Sequence, residues 1–326
     1  MIDYSEIPVN PSLHTVAFYN VENLFDIFDD KTKYDNDFLP RADKRWTAKR
    51  YKNKLRKLGY VISNIGRKEN GKHPALVGLA EVENAKVLKD LIASKHLEDS
   101  HYNYVHYDSK DERGIDVALL YDETVFTVEA SENFSLELYN DAGLPDYTRD
   151  VLLVSGVLDG FKTHVIVNHW SSRREGERET EHKRMAGSNK VGEIISNLKL
   201  NNLDAKIIVI GDFNDDPSST SIKRLVSGFD LFNPMETLRS FTRGTSKHRR
   251  QWFLFDQIFI SRNFSETKEN GLAFEKANIF DEDFLKLSSG KYKGSPFRTY
   301  VGKKYQGGYS DHFPVYVVLK KEEEMS

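Results

Sequence analysis

Six short runs of this 326-residue chain share one design, in which a β-prone apolar stretch adjoins a cluster of acids, amides or histidines. Four have the cluster at the C-terminal end of the apolar stretch. They are Val16-Ala17-Phe18-Tyr19-Asn20-Val21-Glu22-Asn23, Leu76-Val77-Gly78-Leu79-Ala80-Glu81-Val82-Glu83-Asn84, Val165-Ile166-Val167-Asn168-His169-Trp170 and Ile207-Ile208-Val209-Ile210-Gly211-Asp212-Phe213-Asn214-Asp215-Asp216-Pro217. In the other two the polar residue comes first: Asp256 precedes Gln257-Ile258-Phe259-Ile260, and Ser310-Asp311-His312-Phe313-Pro314 opens the last apolar run. Carboxylates and amides at strand ends can converge in space. Buried carboxylates are costly unless neutralised. A hard cation would neutralise them, and oxygen ligands favour Mg²⁺ or Mn²⁺.

Each residue also has a plainer reading. Asp212 and Asn214 could cap the turn before Pro217. His312 could be a surface histidine, His169 could pack on Trp170, and Asp256 could be an ordinary strand-end acid. Asn23 could cap a helix, and Glu83 could be a solvated first-turn acid.

The six runs together, in this order, resemble the endonuclease/exonuclease/phosphatase superfamily. Gly211-Asp212-Phe213-Asn214 and Ser310-Asp311-His312-Phe313-Pro314 carry the resemblance most specifically, and it extends from Asn20 to His312. The resemblance implies a four-layer α/β sandwich, with two mixed sheets face to face and helices outside. It implies Glu81 as the main metal ligand, with Asn20 beside it and Asp311 near the same ion. Asp212 would orient and deprotonate the attacking water, and Asn214 would hold the phosphate or that water. His312, paired with Asp256, would stabilise the phosphoryl oxygens, and His169 would contact the phosphate or the leaving group. The expected activity is Mg²⁺- or Mn²⁺-dependent hydrolysis of a phosphodiester, most simply in DNA or RNA. A small-molecule or lipid phosphate is the alternative, and an inactive phosphate-binding module the third reading. His169 shifts weight away from the apurinic-site branch, which lacks that histidine.

Charge adds a rim to this centre. The net charge of −3 argues against a protein coated in nucleic-acid-binding surface. Yet 237–255 has no acid and five basic residues, Arg239, Arg243, Lys247, Arg249 and Arg250. Likewise 286–310 has none, with Lys286, Lys291, Lys293, Arg298, Lys303 and Lys304. The first stretch runs into Asp256 and the second into Asp311 and His312, so a positive rim is expected around an acidic floor. Tyr292, Tyr300, Tyr305 and Tyr309 could hold a base or a sugar ring, or could merely stiffen a lid. Substrate contacts are expected from Arg113, Arg173, Asn168 and Arg298. The mixture of Arg173, Arg174 and Arg178 with Glu175, Glu177, Glu179 and Glu181 otherwise suggests a solvated helical face.

The elements that must position these residues follow from periodicity. Strands are expected at 15–19, 75–79, 117–121, 152–157, 164–167, 207–210, 257–260 and 315–319. Helical stripes run through Tyr51, Leu55, Leu58, Ile62 and Ile65, through Val87, Leu88, Leu91 and Ile92, and through Val191, Ile194, Ile195 and Leu198. A shorter helix is expected at 219–226. Loops and hairpins separate several strands, which suits a mixed sandwich better than strict βαβ alternation. One domain over 1–326 is expected, with irregular insertions at 27–45 and 264–308. The absence of cysteine excludes disulfides, thiolate catalysis and cysteine-bound zinc. No signal peptide is visible, so a cytoplasmic location is expected, secreted or periplasmic if a leader was removed; nothing suggests heptads or an obligate dimer, so a monomer is expected. No stretch is apolar enough to span a membrane.

Overall fold

The computed structural model describes every residue except 1–6, 141, 249, 265–270 and 323–326. Two six-stranded sheets pack face to face. The first contains β1 (Leu13–Leu24), β2 (Leu76–Val82), β3 (Tyr102–His106), β4 (Asp116–Asp122), β13 (Gly271–Ile279) and β16 (Val315–Glu322), in the order β13-β16-β1-β2-β4-β3. The second contains β5 (Phe126–Phe134), β6 (Val151–Leu158), β7 (Phe161–His169), β8 (Lys206–Asp212), β9 (Leu231–Phe232) and β12 (Asp256–Ser261), in the order β5-β6-β7-β8-β12-β9. Two small hairpins stand apart, β10 (Ser246–His248) with β11 (Gln251–Phe253), and β14 (Tyr300–Val301) with β15 (Lys304–Tyr305).

Central strands read as unbroken apolar runs because both their faces are covered. Along β8, Ile208 and Ile210 enter the core between the sheets, while Ile207 and Val209 enter a second core on the outer side. That outer core lies under α4 (Glu181–Asn201) and α5 (Thr220–Gly228), which contribute Val191, Ile194, Ile195, Ile222 and Leu225. On the other flank α1 (Ala48–Ile62) buries Tyr51, Leu55, Leu58 and Ile62. The four-residue α2 (Arg67–Asn70) follows it. Then α3 (Ala85–Ile92) buries Val87, Leu88 and Leu91, and Asn84 caps it by accepting the Val87 N–H at 3.0 Å. The expected four-layer sandwich is thus present. Gly78 lets the sheets approach: a Cβ there would lie 2.5 Å from Ile210 Cδ1.

Among the described residues, only β1–β2 and β7–β8 are parallel pairs. Each needs a crossover long enough to return the chain to the same end. α1 lies in the first crossover and α4 in the second. Both crossovers therefore deliver strand C-termini to one edge of the molecule.

Two expectations are corrected. The segment 264–308 is not loop throughout, because β13 pairs with β16 along the edge of the first sheet. A register shift at Phe274/Lys276 and the adjacent Glu275-Lys276 pair obscure its alternation. The Arg/Glu-rich segment around 173–180 is not a helical face. α4 begins only at Glu181, and the residues before it form separate turns interrupted by Gly176, at φ 117°. No helix among the described residues is long and apolar enough to cross a membrane.

Candidate active site

The polar ends of β1, β2, β7 and β8 meet the first residues of the antiparallel β12 and the turn before β16. Register fixes the arrangement: Asp212 lies opposite His169 on one side and Asp256 on the other. Side chains alternate along a strand. Asp212 therefore shares the inward face of Ile208 and Ile210. Asn20 reaches across from the first sheet, and its Nδ2 donates to Asp212 Oδ2 at 3.0 Å. Ser310 ties the same region together, donating to the Asn20 carbonyl at 2.6 Å and accepting the His312 N–H at 3.1 Å.

Glu81 arrives by a different route. On parity alone it would face away from Gly78 and Ala80. Instead the β2–β4 register shifts between Ala80 and Val82, and Glu81 has a left-handed backbone with φ 66°. Such a bulge re-aims a side chain at the end of a strand. A left-handed non-glycine residue costs about 1–3 kcal/mol and persists where its surroundings enforce it. Glu22 (φ 51°), Asn23 (φ 53°) and Asn214 (φ 49°) adopt the same conformation around the cleft. Glu81 Oε2 accepts the Asn23 N–H at 2.8 Å, while Oε1 lies 4.0 Å from Arg113.

The electrostatics divide the residues by protonation. His312 Nδ1 bonds Asp256 Oδ2 at 2.7 Å and lies 3.9 Å from Asp212 Oδ2. Burial alone would lower the His312 pKa, but Asp256, Asp212 and Asp311 outweigh it and hold the ring cationic. Asp212 moves the other way: burial pushes its carboxyl up to about 7, against the pull of His312. Burial, reinforced by Arg149 and Arg113, holds His169 well below the usual histidine range. That ring is neutral, with Nε2 3.8 Å from Asp212 Oδ2 and a buried Nδ1 that has no partner. For Asp311, burial raises the carboxyl, but His312 and Arg298 overcome it and keep it ionised.

A cleft of about 390 Å³ brings together Asn20, Glu81, Arg113, His169, Arg173, Asp212, Asn214, Arg298, Asp311 and His312. Asp256 sits directly beneath His312, fully buried. Around the acidic floor lie Arg113, Arg174, Lys247, His248 and Arg298. Arg113 donates to Asn23 Oδ1 at 3.1 Å, and Arg298 to Asp311 Oδ2 at 2.6 Å. Asn214 is held by its N–H on Asp212 Oδ1 and its Nδ2 on the Trp170 carbonyl, both at 3.0 Å.

Two of the expected substrate contacts, Asn168 and Arg173, are held by partners within the protein. Asn168, one position from His169, points to the opposite face of β7. There it is buried and bonded to the Ile166 and Ile210 carbonyls and Trp170 Nε1. Arg173 borders the cleft, but its guanidinium is spent on the Asn214 carbonyl, Asp215 and Glu177, all at 2.6 Å. It braces the Asp212–Asn214 turn, as does Arg184 through Asp215 at 2.8 Å.

The second basic stretch contributes mainly Arg298. Lys286 pairs with Asp281 and Lys303 with Asp43. Tyr300 packs on Phe38 and Trp46, and the Tyr305 hydroxyl accepts from Asn53 of α1. These two rings pack into the protein and do not line the cleft. In the first stretch Arg243 is tied to Asn278 and Asp281, whereas Arg249 lies outside the described residues. Sequence reasoning missed Phe253 and Phe255, which line the cleft with stacked rings 4.9 Å apart. The aromatic run Trp252-Phe253-Leu254-Phe255 immediately before Asp256 was the available signal.

The donor chemistry suits a hard divalent cation. Glu81, Asp311 and Asn20 bring oxygen ligands into the cleft. Asp212 and Asp256 add buried carboxylates beside the cationic His312, and Asp256 Oδ1 is buried without a partner.

Comparison with known proteins agrees with this geometry. A family model described as "Endonuclease/Exonuclease/phosphatase family" matches residues 15–321. Among solved structures, an endonuclease/exonuclease/phosphatase family protein from Bacteroides thetaiotaomicron superposes with TM-score 0.60 at 19% identity, covering 97% of this chain and 100% of that one. A mannosyl-6-phosphatase from Bacteroides thetaiotaomicron gives 0.56 at 19% identity, covering 94% and 99%. The human Nocturnin catalytic domain with bound sulfate gives 0.57 at 15% identity, covering 97% and 96%. No curated protein sequence matches. With a family model that matches residues 15–321, a sandwich fold shared with the solved structures and an Asp–His–Asp centre in a charged cleft, the chain belongs to the endonuclease/exonuclease/phosphatase family.

Proposed function

We propose that this protein is a divalent-metal-dependent phosphodiesterase acting on nucleic acid, in which Asp212 activates water and His312 receives the developing phosphoryl charge. The observation that carries this reading is the pairing of opposite protonation preferences in one cleft. Asp212 is anchored by Asn20 and Asn214 and its proton affinity is raised by burial, while His312, 3.9 Å away, is kept cationic by Asp256. A base works best with a pKa near the operating pH. A fixed cationic donor stabilises charge that grows in the transition state. Glu81, Asn20 and Asp311 would hold Mg²⁺ or Mn²⁺. Such an ion supplies Lewis-acid polarisation of a phosphoryl oxygen and a more acidic bound water. The neutral His169 is suited to donate or accept a hydrogen bond beside Asp212 without adding charge. Asn214 orients water or phosphate, and Arg113 and Arg298 attract the anion.

The aromatic wall favours nucleic acid among phosphodiesters. Phe253 and Phe255 present stacked rings beside Lys247, where a base adjoining the scissile phosphate can stack. A second reading, a small-molecule phosphate, rests on cleft size, since about 390 Å³ accommodates a compact ligand. The discriminating experiment is an activity panel with Mg²⁺ or Mn²⁺ over single- and double-stranded DNA, RNA, bis-p-nitrophenyl phosphate, sugar and inositol phosphates, and sphingomyelin. The nucleic-acid reading expects oligonucleotide cleavage that weakens steeply with salt. Turnover confined to a sugar phosphate or lipid would replace it with the second reading.

A further inference from the structure

A second group of metal-type ligands lies outside the catalytic cleft, where β3 ends and β4 begins. His106 is paired in register with Ala118, so Asp116, two residues before Ala118, projects on the same face as the histidine. His106 Nε2 and Asp116 Oδ2 are 3.7 Å apart, too far for a hydrogen bond. Both side chains are 3% exposed, and both of these atoms are buried without a partner. An orphaned buried carboxylate oxygen facing an orphaned imidazole nitrogen is costly on both sides. Asp108 completes the group, and the three ligand atoms lie within 4.8 Å of one another.

We propose that His106, Asp108 and Asp116 form a binding site for a divalent transition ion of the Zn²⁺ class, separate from the catalytic centre. The spacing fits ligands sharing an ion better than it fits an ion pair. Two ligands each about 2.0–2.1 Å from a tetrahedral ion lie roughly 3.3–3.5 Å apart. One imidazole nitrogen with two carboxylates is a donor set for Zn²⁺ or Co²⁺ more than for Ca²⁺ or Mg²⁺. Support for the first ligands is already in place, because the Ser109 N–H donates to Asp116 Oδ1 at 3.1 Å and orients that carboxylate. Asp108 is 70% exposed, so it stands on the solvent side of the site, where an ion can enter. Its present neighbour, Lys33 Nζ at 3.8 Å, is a weak surface partner that an ion would displace. A bound ion would clamp the base of the 107–115 loop, which carries Arg113 to Asn23 and Glu81.

The proposal stands independently of the phosphoesterase reading, and the test separates them. Chelator-treated protein is equilibrated with Zn²⁺ alone and the bound metal counted, in wild type and in Glu81→Gln/Asp311→Asn, which disables the catalytic centre. The disabled variant is expected to retain one Zn²⁺ per chain. Adding His106→Gln should weaken that binding at least 100-fold, and Asp108→Asn, at an exposed position, about 10-fold. In the unmutated chain, Co²⁺ should broaden the His106 ring signals at one equivalent, a readout that needs no substitution. A disabled variant that binds no Zn²⁺, or His106 signals unmoved by Co²⁺, would overturn the site and leave a simple His106–Asp116 ion pair.

Discussion

Replacing Asp256 by Asn isolates what the charge beneath His312 contributes. The substitution is nearly isosteric and keeps an oxygen that can accept from Nδ1, so ring position is retained. What disappears is an anion bonded to the ring at 2.7 Å, in a fully buried position. With charge centres about 4 Å apart and an effective dielectric near 20, their attraction is about 4 kcal/mol. That corresponds to roughly three pH units in the imidazole pKa. Asp212, 3.9 Å away, retains part of the effect. The His312 pKa is therefore expected to fall by about two units, and kcat for bis-p-nitrophenyl phosphate with Mn²⁺ by about 10²–10³. Thermal unfolding would confirm that the variant is folded, and proton NMR would follow the ring titration. A folded variant with kcat within threefold of wild type, and an unshifted His312 titration, would refute the reasoning.

Three further outcomes follow from the same geometry. Gly211→Ala puts a Cβ 2.6 Å from the Asn168 carbonyl oxygen, a backbone atom, so stability should fall by about 1–3 kcal/mol in denaturant melts. Burial raises Glu83 from 4.5 to about 7, so its contribution to stability is present below pH 4.5 and is lost as pH rises through 7. Glu83→Gln should accordingly be more stable than wild type at pH 8, by about 1–2 kcal/mol, and show no such gain at pH 4; equal melting at both values would contradict this. Paired Phe253→Ala and Phe255→Ala should weaken single-stranded DNA binding at least tenfold while leaving bis-p-nitrophenyl phosphate turnover near wild type, and unchanged DNA affinity would argue against a stacking wall.

The parts legible in sequence are those where one residue type had one physical use. Central strands carried apolar runs on both faces, and their polar ends marked the cleft. The three longer edge strands escaped notice for the complementary reason. β3, β5 and β13 each have one solvated side, and residues such as Asn103, Glu129 and Lys276 interrupt their alternation. Parity was equally invisible: in a strand buried on both faces, Val167-Asn168-His169 contains nothing to say which polar residue turns inward. Glu81 reaches the cleft only through a bulge, and its left-handed backbone has no compositional mark. Arg173 looked free beside acidic neighbours, but long-range partners decided its role, with Asp215 bonding both Arg173 and Arg184. The second cluster, at His106, Asp108 and Asp116, depends on the register of an edge strand that periodicity did not reveal.

The most direct measurement is the hydrolysis of bis-p-nitrophenyl phosphate by wild type and by Asp212→Ala, at equal folded fraction. It is run with chelator and then with added Mn²⁺. The account predicts wild-type turnover that chelator abolishes and Mn²⁺ restores, and a loss of at least about 10³ in the variant. Equal turnover by the two proteins would contradict the assignment of Asp212 and, with it, the proposed centre.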